Sequence, residues 1–152
     1  MEIQQATIFG GSGFVGRYVV RELAKTGMKV RVAVRRPDEA LFLKTAGDAG
    51  QIAPMQANVR DDASVAAAVD GADLVINLVG ILFSHGRQKF DAIHREAAGR
   101  IAAAARDAGA SRLVHVSAIG ADTASPSEYG RSKAAGEAVV SAAFPDATII
   151  RP

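Results

Sequence analysis

Seven residues near the start of the chain constrain its fold more than any other stretch. Residues 10–16 read GGSGFVG, directly after a β-prone run and directly before a helix-like stretch. In such a setting Gly10 allows a sharp turn, Gly13 lets a pyrophosphate approach the backbone, and Gly16 lets helix and strand pack closely. Free N–H groups at the helix N-terminus then face the negative charge. A tight turn without a ligand is the alternative, but the features below favour a pyrophosphate-binding turn made of Gly10, Gly11, Ser12, Gly13, Phe14, Val15 and Gly16.

Short apolar runs alternate with longer helical stretches along the whole chain. The patterns predict strands over residues 6–9, 29–34, 51–57, 74–79, 113–116 and 148–150, and helices over 14–26, 37–46, 61–69, 90–108 and 127–143. This alternation implies a parallel sheet with helices on both faces. Six strands is the count of a doubly wound, Rossmann-type α/β fold, whose ligand crevice lies at the carboxyl ends of the strands. We therefore predict one domain of this class over residues 1–152.

Composition excludes several other classes of protein. The 152 residues carry a net charge of +2 and no block of five like charges, which argues against nucleic-acid binding. The chain has no cysteine, so it has no disulfide and no thiolate metal site, and no metal is predicted. Residues 1–5 lack the features of a signal peptide, and the longest apolar stretch, 74–83, is too short to span a bilayer. A cytoplasmic protein is expected, with at most peripheral membrane contact.

The residues after the second predicted strand indicate which dinucleotide is bound. An NAD-binding domain usually has Asp or Glu there, which accepts a hydrogen bond from the ribose 2′-hydroxyl. This chain has Arg35 and Arg36 instead. A carboxylate repels a 2′-phosphate, whereas a guanidinium binds it through charge-assisted hydrogen bonds. The sequence therefore predicts NADP(H), with NAD(H) as the alternative; for Arg36, a solvated surface position is an equally good interpretation.

Two more segments follow predicted strands and are assigned to the cofactor site. Asn58 and Val59 follow the third strand, at a position that commonly borders the adenine, while the nearby Asp61 is suited to cap the next helix. The other segment ends the fourth strand and consists of Leu78, Val79 and Gly80.

A tyrosine and a lysine lie one turn apart in the last predicted helix. Tyr129 and Lys133 are four residues apart and so share a face. Residues 125–128 resemble a capping box with Pro126 at the first helical position, which places Tyr129 near the strand ends. A tyrosine hydroxyl can transfer a proton in carbonyl reduction, and a nearby ammonium favours the phenolate and can also hold the ribose. With Ser117 twelve residues earlier, these are the candidate catalytic residues; the alternative is a surface lysine beside a half-buried tyrosine.

These motifs resemble the extended or atypical short-chain dehydrogenase/reductase superfamily, in particular the NAD(P)-binding accessory subunits of respiratory complex I and their bacterial relatives. The matching stretches cover residues 9–20, 47–51, 75–80, 115–117, 131–137 and 143–152. The resemblance implies NADPH that is held tightly and supports the fold, with other complex I subunits as partners. The implied location is peripheral, on the bacterial cytoplasmic face or the mitochondrial matrix side.

Two departures from the family pattern bear on activity. Many extended members have an asparagine in the helix after the fourth strand that helps a proton relay, and His94 stands at the aligned position. An imidazole can relay a proton, and a partly exposed helical histidine is the alternative. Family members also continue past Arg151 and Pro152 into a segment that builds a substrate lobe. We therefore expect this chain to be part of a longer protein and to be a poor catalyst by itself.

Three functions remain open from the sequence. The first is an NADP(H)-holding accessory subunit of a respiratory NADH:quinone oxidoreductase. The second is an NADP-dependent reductase, epimerase or dehydratase that uses Tyr129 and Lys133. The third is a regulator that senses the NADP(H) state, which only the fold supports.

Overall fold

The structure, a computed structural model, describes residues 4–152, so the first three residues of the opening stretch lie outside the described part. Six strands form one parallel sheet: β1 (Gln5–Phe9), β2 (Lys29–Val34), β3 (Ile52–Gln56), β4 (Leu74–Asn77), β5 (Arg112–Val116) and β6 (Thr148–Ile150). The α-helices are α1 (Phe14–Lys25), α2 (Asp62–Val69), α3 (Ala98–Asp107) and α4 (Glu128–Ala143). A 3₁₀ segment, Pro37–Ala46, follows β2, and a π-helical segment, Asp91–Ala97, leads into α3.

The strand order is β3-β2-β1-β4-β5-β6, with parallel pairing throughout. The chain therefore leaves the first strand in one direction to build β2 and β3, then returns to its other side for β4, β5 and β6. This reversal confirms the predicted doubly wound α/β class, and it places a crevice at the carboxyl ends of β1 and β4.

Each face of the sheet carries its own apolar core, because successive side chains of a strand point to opposite faces. Ile8 packs with α1 and the 3₁₀ segment, while its neighbour Phe9 packs with α2, α3 and α4. The alanines of α3 are small enough for this helix to approach the sheet and α4 closely, and three of them are fully buried: Ala98, Ala102 and Ala105.

Local hydrogen bonds explain where two of the helices begin. The Asp61 carboxylate accepts a hydrogen bond from the Ser64 N–H at 2.7 Å, which confirms the predicted cap of α2. The Ser127 hydroxyl accepts from the Gly130 N–H at 3.4 Å and caps α4. Pro126 precedes this cap, so its predicted place at the first helical position is wrong.

Three predicted elements differ from the structure in helix type or by more than one residue at an end. Residues 37–46 are helical, as predicted, but with 3₁₀ geometry. The predicted helix over residues 90–108 is π-helical in its first part and α-helical only from Ala98. The fourth strand ends at Asn77 rather than Val79, because the Asn77 side-chain oxygen accepts a hydrogen bond from the Val79 N–H at 3.0 Å and turns the chain there.

Candidate functional site

The glycine turn joins β1 to α1 at the point where the strand order reverses. Gly10 has φ +77, a conformation that favours glycine, and its N–H donates to the Ala33 carbonyl at 3.1 Å. A Cβ at Gly16 would overlap the backbone of Gly10 and Gly11, so helix and turn are in direct backbone contact. A Cβ at the exposed Gly13 would meet only the Gly10 carbonyl oxygen, at 3.3 Å. The turn is therefore tight on its inner side and open on the side where an anion would approach.

A cleft of about 310 Å³ opens above this turn, at the carboxyl ends of the central strands. Its walls bring together nine of the residues assigned to the cofactor from sequence: Gly10, Ser12, Gly13, Arg35, Asn58, Val59, Leu78, Val79 and Gly80. Sequence reasoning missed seven others that also line it: Ala33, Val34, Ala57, Arg60, Ile81, Gln88 and Ile93. Most of the missed residues are direct chain neighbours of predicted ones, whereas Gln88 and Ile93 reach the cleft only because the chain folds back after β4.

The other four assigned turn residues, Gly11, Phe14, Val15 and Gly16, do not line this cleft. Gly11 is buried beneath it, and Gly16 lies in the first turn of α1. The side chains of Phe14 and Val15 are exposed, and the Phe14 ring packs edge-on against Tyr18 with centroids 5.9 Å apart. Their part in anion binding is limited to the backbone at the start of α1.

Arg35 and Arg36 occupy different environments. Arg35 lines the cleft and also a neighbouring depression of about 380 Å³, which it shares with Ser12, Arg36 and Glu39. Arg36 forms an exposed ion pair with Glu39 at 2.9 Å. Since that carboxylate already offsets its charge, Arg35 is the better placed of the two arginines for an additional anion.

The segment after β3 is held by its own side chains. The Asn58 side-chain oxygen accepts from the Arg60 N–H at 3.1 Å, and the Asn58 N–H donates to the Ser64 hydroxyl at 2.8 Å. These bonds fix the edge of the cleft formed by Asn58 and Val59.

Of the three candidate catalytic residues, Ser117 directly follows β5, and Tyr129 and Lys133 lie in α4. The Lys133 ammonium is buried and donates to the Val116 carbonyl at 3.0 Å, and burial lowers the pKa of Lys133. The buried Ser117 hydroxyl has no hydrogen-bond partner among residues 4–152. The pKa of the Glu137 carboxyl is lowered mainly by its hydrogen bond from Arg151 and to a smaller extent by Ser117. Tyr129 is half-buried. A Cβ at Gly80 would lie 4.0 Å from the Lys133 ammonium, so the cleft and this group adjoin each other.

His94 is more deeply buried than either sequence interpretation expected, at 1% exposure. Its Nε2 accepts from the Ile81 N–H at 3.0 Å, and its Nδ1 lies 2.8 Å from the Ser132 hydroxyl. Both ring nitrogens are thus engaged by protein groups, and burial, followed by the charge of Lys133, lowers the pKa of His94 to about 4. Such an imidazole is neutral at physiological pH and is poorly suited to exchange protons with a substrate.

The doubly wound sheet, the glycine turn and the cleft above it define the class of dinucleotide-binding domains. Residues 10–152 match the NAD(P)H-binding family, and the chain belongs to that family. This result confirms the predicted nicotinamide nucleotide, without distinguishing NADP from NAD.

Several curated proteins are similar to nearly the whole chain. NADH dehydrogenase (ubiquinone) 1 alpha subcomplex subunit 9, mitochondrial, of Arabidopsis thaliana is 42% identical over 149 residues, which are 97% of this chain and 37% of that protein. The mitochondrial NADH-ubiquinone oxidoreductase 40 kDa subunit of Neurospora crassa is 37% identical over 97% of this chain and 39% of its own length. Ceramide reductase of Caulobacter vibrioides is 34% identical, over 95% and 44% respectively. The chain thus spans about two fifths of these relatives, and the resemblance to a complex I subunit is confirmed.

Solved structures share the fold. A putative NAD-dependent epimerase/dehydratase from Bacillus halodurans superposes with a TM-score of 0.82 at 24% identity, covering 98% of this chain and 70% of the other. The Bordetella bronchiseptica enzyme WbmG, solved with NAD and UDP, gives a TM-score of 0.79 at 18% identity, covering 99% and 53%. Within residues 4–152, no helix is both long enough and apolar enough to cross a membrane.

Proposed function

We propose that this domain binds NADP(H) in the cleft above the glycine turn, with the pyrophosphate over Gly10 and Gly13. The adenosine half then lies toward Arg35 and Asn58, and the nicotinamide half lies toward Gly80 and the buried Lys133. The observation that carries the choice of NADP(H) is the position of Arg35, whose side chain lines both the cleft and the adjoining depression. The carboxylate in that depression, Glu39, is paired with Arg36. A 2′-phosphate in the depression would meet the guanidinium of Arg35.

An Arg35→Ala variant is expected to bind NADPH about tenfold to a hundredfold more weakly, because a hydrogen bond to a charged group contributes about 1.5–3 kcal/mol. NADH binding should change by about twofold or less, since NADH has no 2′-phosphate. Titrations of both nucleotides, followed by nicotinamide fluorescence, measure the two effects.

Two matched variants serve as controls for Arg35. Arg36→Ala should have a smaller effect on NADPH, since Glu39 already neutralises much of that charge. Arg112→Ala removes an exposed arginine at the amino end of β5, on the opposite edge of the sheet, and should leave both affinities unchanged. A wild-type domain that binds NADH as tightly as NADPH would exclude the proposed preference.

The nucleotide is proposed to be structural, in an accessory subunit of a respiratory NADH:quinone oxidoreductase. The similarity over nearly the whole chain to subunits of such complexes in Arabidopsis thaliana and Neurospora crassa supports this role. The buried His94 adds support, because both of its ring nitrogens are engaged by protein groups and neither is free to exchange a proton with a substrate. The proposed location is peripheral, on the cytoplasmic face of a bacterial membrane or the equivalent matrix side, with other subunits of the complex as partners.

A second candidate function is an NADP-dependent reductase. Lys133 donates to the carbonyl of Val116, directly beside Ser117, and Tyr129 lies one turn earlier in the same helix. The similarity to a ceramide reductase favours such an activity. In this function the unpartnered Ser117 hydroxyl would hydrogen-bond the substrate oxygen, and Tyr129 would transfer the proton.

Tyr129→Phe in the full-length native protein separates the two functions, because it removes only the hydroxyl and keeps the ring that packs on Phe90 and His94. For a structural subunit, NADPH retention and comigration with NADH dehydrogenase activity on a native gel should match the wild type. For a reductase, NADPH binding should persist while turnover of a carbonyl substrate falls by a factor of about 10² or more. Wild-type protein that migrates apart from the dehydrogenase would contradict the subunit proposal.

A further inference from the structure

A single buried imidazole connects the cleft to helix α4. The His94 Nε2 accepts from the Ile81 N–H at 3.0 Å, and Ile81 lines the cleft. On the other side of the ring, Nδ1 lies 2.8 Å from the Ser132 hydroxyl. That hydroxyl donates to the Tyr129 carbonyl at 2.8 Å. The chain of contacts thus runs from the backbone of the cleft wall to the first turn of α4.

The donors and acceptors in this chain permit one tautomer of the imidazole. The Ser132 hydroxyl has one proton, which it donates to the Tyr129 carbonyl, so its oxygen accepts from His94 and Nδ1 carries the proton. The Ile81 N–H can only donate, so Nε2 is unprotonated. Every polar atom of the ring is satisfied in this state, and a second ring proton would face the Ile81 N–H directly.

The surroundings keep this ring in place and neutral. Phe90 stacks on it with centroids 5.5 Å apart, and the Tyr129 ring meets it edge-on at 5.3 Å. The charged and titratable groups that act on it are Lys133 of α4 and His115 of β5, and a positive charge on either opposes protonation. A Cβ at Gly80 would lie 3.7 Å from Nε2, so the cleft wall packs directly over the ring.

We propose that His94 is a positioning residue for the nicotinamide half of the nucleotide: its neutral ring fixes the Gly80–Ile81 backbone and ties it to Tyr129 through Ser132. The inference rests on the proposed nucleotide site. Gly80 and Ile81 follow β4, whereas Arg35 follows β2, and β1 lies between these two strands. His94 therefore acts on one half of a bound dinucleotide, and the half near Arg35 does not depend on it.

Two substitutions remove one hydrogen bond of the ring each. In His94→Gln, the terminal amide reaches about as far as Nε2, so its oxygen can accept from Ile81. In His94→Asn, the shorter amide reaches only the place of Nδ1, so the bond to Ser132 is kept and that to Ile81 is lost. We expect NADPH to bind about tenfold more weakly to the Asn variant and within about threefold of wild type to the Gln variant. 2′,5′-ADP, which has no nicotinamide half, should bind both variants within about twofold of wild type.

Equal NADPH affinities for the two variants would overturn the positioning role. A parallel loss of 2′,5′-ADP binding would also overturn it and would indicate a general effect on folding. Should neither variant fold, long-range ¹H–¹⁵N correlation spectra of the wild type decide the question. A proton on Nδ1 at pH 6 is the expected result, and a proton on Nε2 contradicts it. If the wild type binds NADH as well as NADPH, the proposed NADP(H) preference fails, yet the Gln and Asn variants still test His94 with NADH. A wild type that binds neither nucleotide would overturn both proposals.

Discussion

Gly136→Ala is expected to lower the free energy of unfolding by about 2–4 kcal/mol, a large part of the stability of a domain of this size. Gly136 lies where α4 crosses the π-helical segment Asp91–Ala97, and a Cβ there would overlap the His94 carbonyl oxygen. The backbone of α4 cannot shift away without breaking the hydrogen bonds of Lys133 and Ser132 that hold this helix in place. Urea unfolding monitored by circular dichroism measures the loss.

Gly99→Ala is the matched control on the neighbouring helix α3. Its Cβ would meet only the Val139 side chain, at 3.3 Å, and alanine favours a helix over glycine. The two effects oppose each other, so the free energy of unfolding should change by less than about 1 kcal/mol. If Gly136→Ala were as mild as Gly99→Ala, the close approach of α4 to the π-helical segment would be contradicted.

The free energy of unfolding is expected to fall steeply as the pH drops from about 6.5 to about 4. His94 and His115 are both buried, and burial, followed by the charge of Lys133, lowers the pKa of each from 6.5 to about 4. Between these two values the unfolded chain binds more protons than the folded chain, so protonation favours unfolding. The stabilisation is complete above pH 6.5 and is lost as the pH falls through 4. Each histidine contributes up to about 3 kcal/mol to the free energy of unfolding at neutral pH. The two contributions together approach the total stability of a typical domain.

Urea unfolding at pH 7, 6, 5 and 4.5 checks this dependence. The chain has one further histidine, the exposed His85, and His85→Gln should leave the pH profile unchanged. His94→Gln should flatten the profile, because one of the two proton-binding groups is gone. The prediction is contradicted if the free energy of unfolding of the wild type is the same at pH 7 and pH 4.5. The two buried histidines would then be protonated in the folded state at pH 4.5.

Much of this fold follows from patterns only a few residues long. The glycine spacing requires a turn between strand and helix, and the alternation of apolar runs with helical stretches leads to a parallel sheet of six strands. Asp61 and Ser127 each accept a hydrogen bond from a backbone N–H three residues later, so local sequence is enough to predict the starts of α2 and α4 to within one residue. The end of β4 was less predictable, because it depends on the conformation of the Asn77 side chain.

The residues of the candidate site also fall into two groups, those that could be assigned from sequence and those that could not. Residues that follow strands, such as Arg35, Asn58 and Gly80, could be assigned from sequence because parallel strands bring their carboxyl ends to one edge. Contacts between distant segments could not be assigned from sequence. Gln88 and Ile93 are examples, because they reach the cleft only through the path of the chain after β4.

The sequence therefore sufficed for the class of fold and for the presence of a dinucleotide turn, since both arise from backbone geometry and strand periodicity. It did not reveal that Glu39 pairs with Arg36, so that Arg35 is the better placed of the two arginines for an additional anion. Nor did it reveal that His94 is neutral and bonded on both sides, since Ile81 is 13 residues before it and Ser132 is 38 residues after it. The charge state and the hydrogen-bond partners of His94 depend on burial and on neighbours in space, and these are determined by the packing of the π-helical segment against α4 and against the chain after β4.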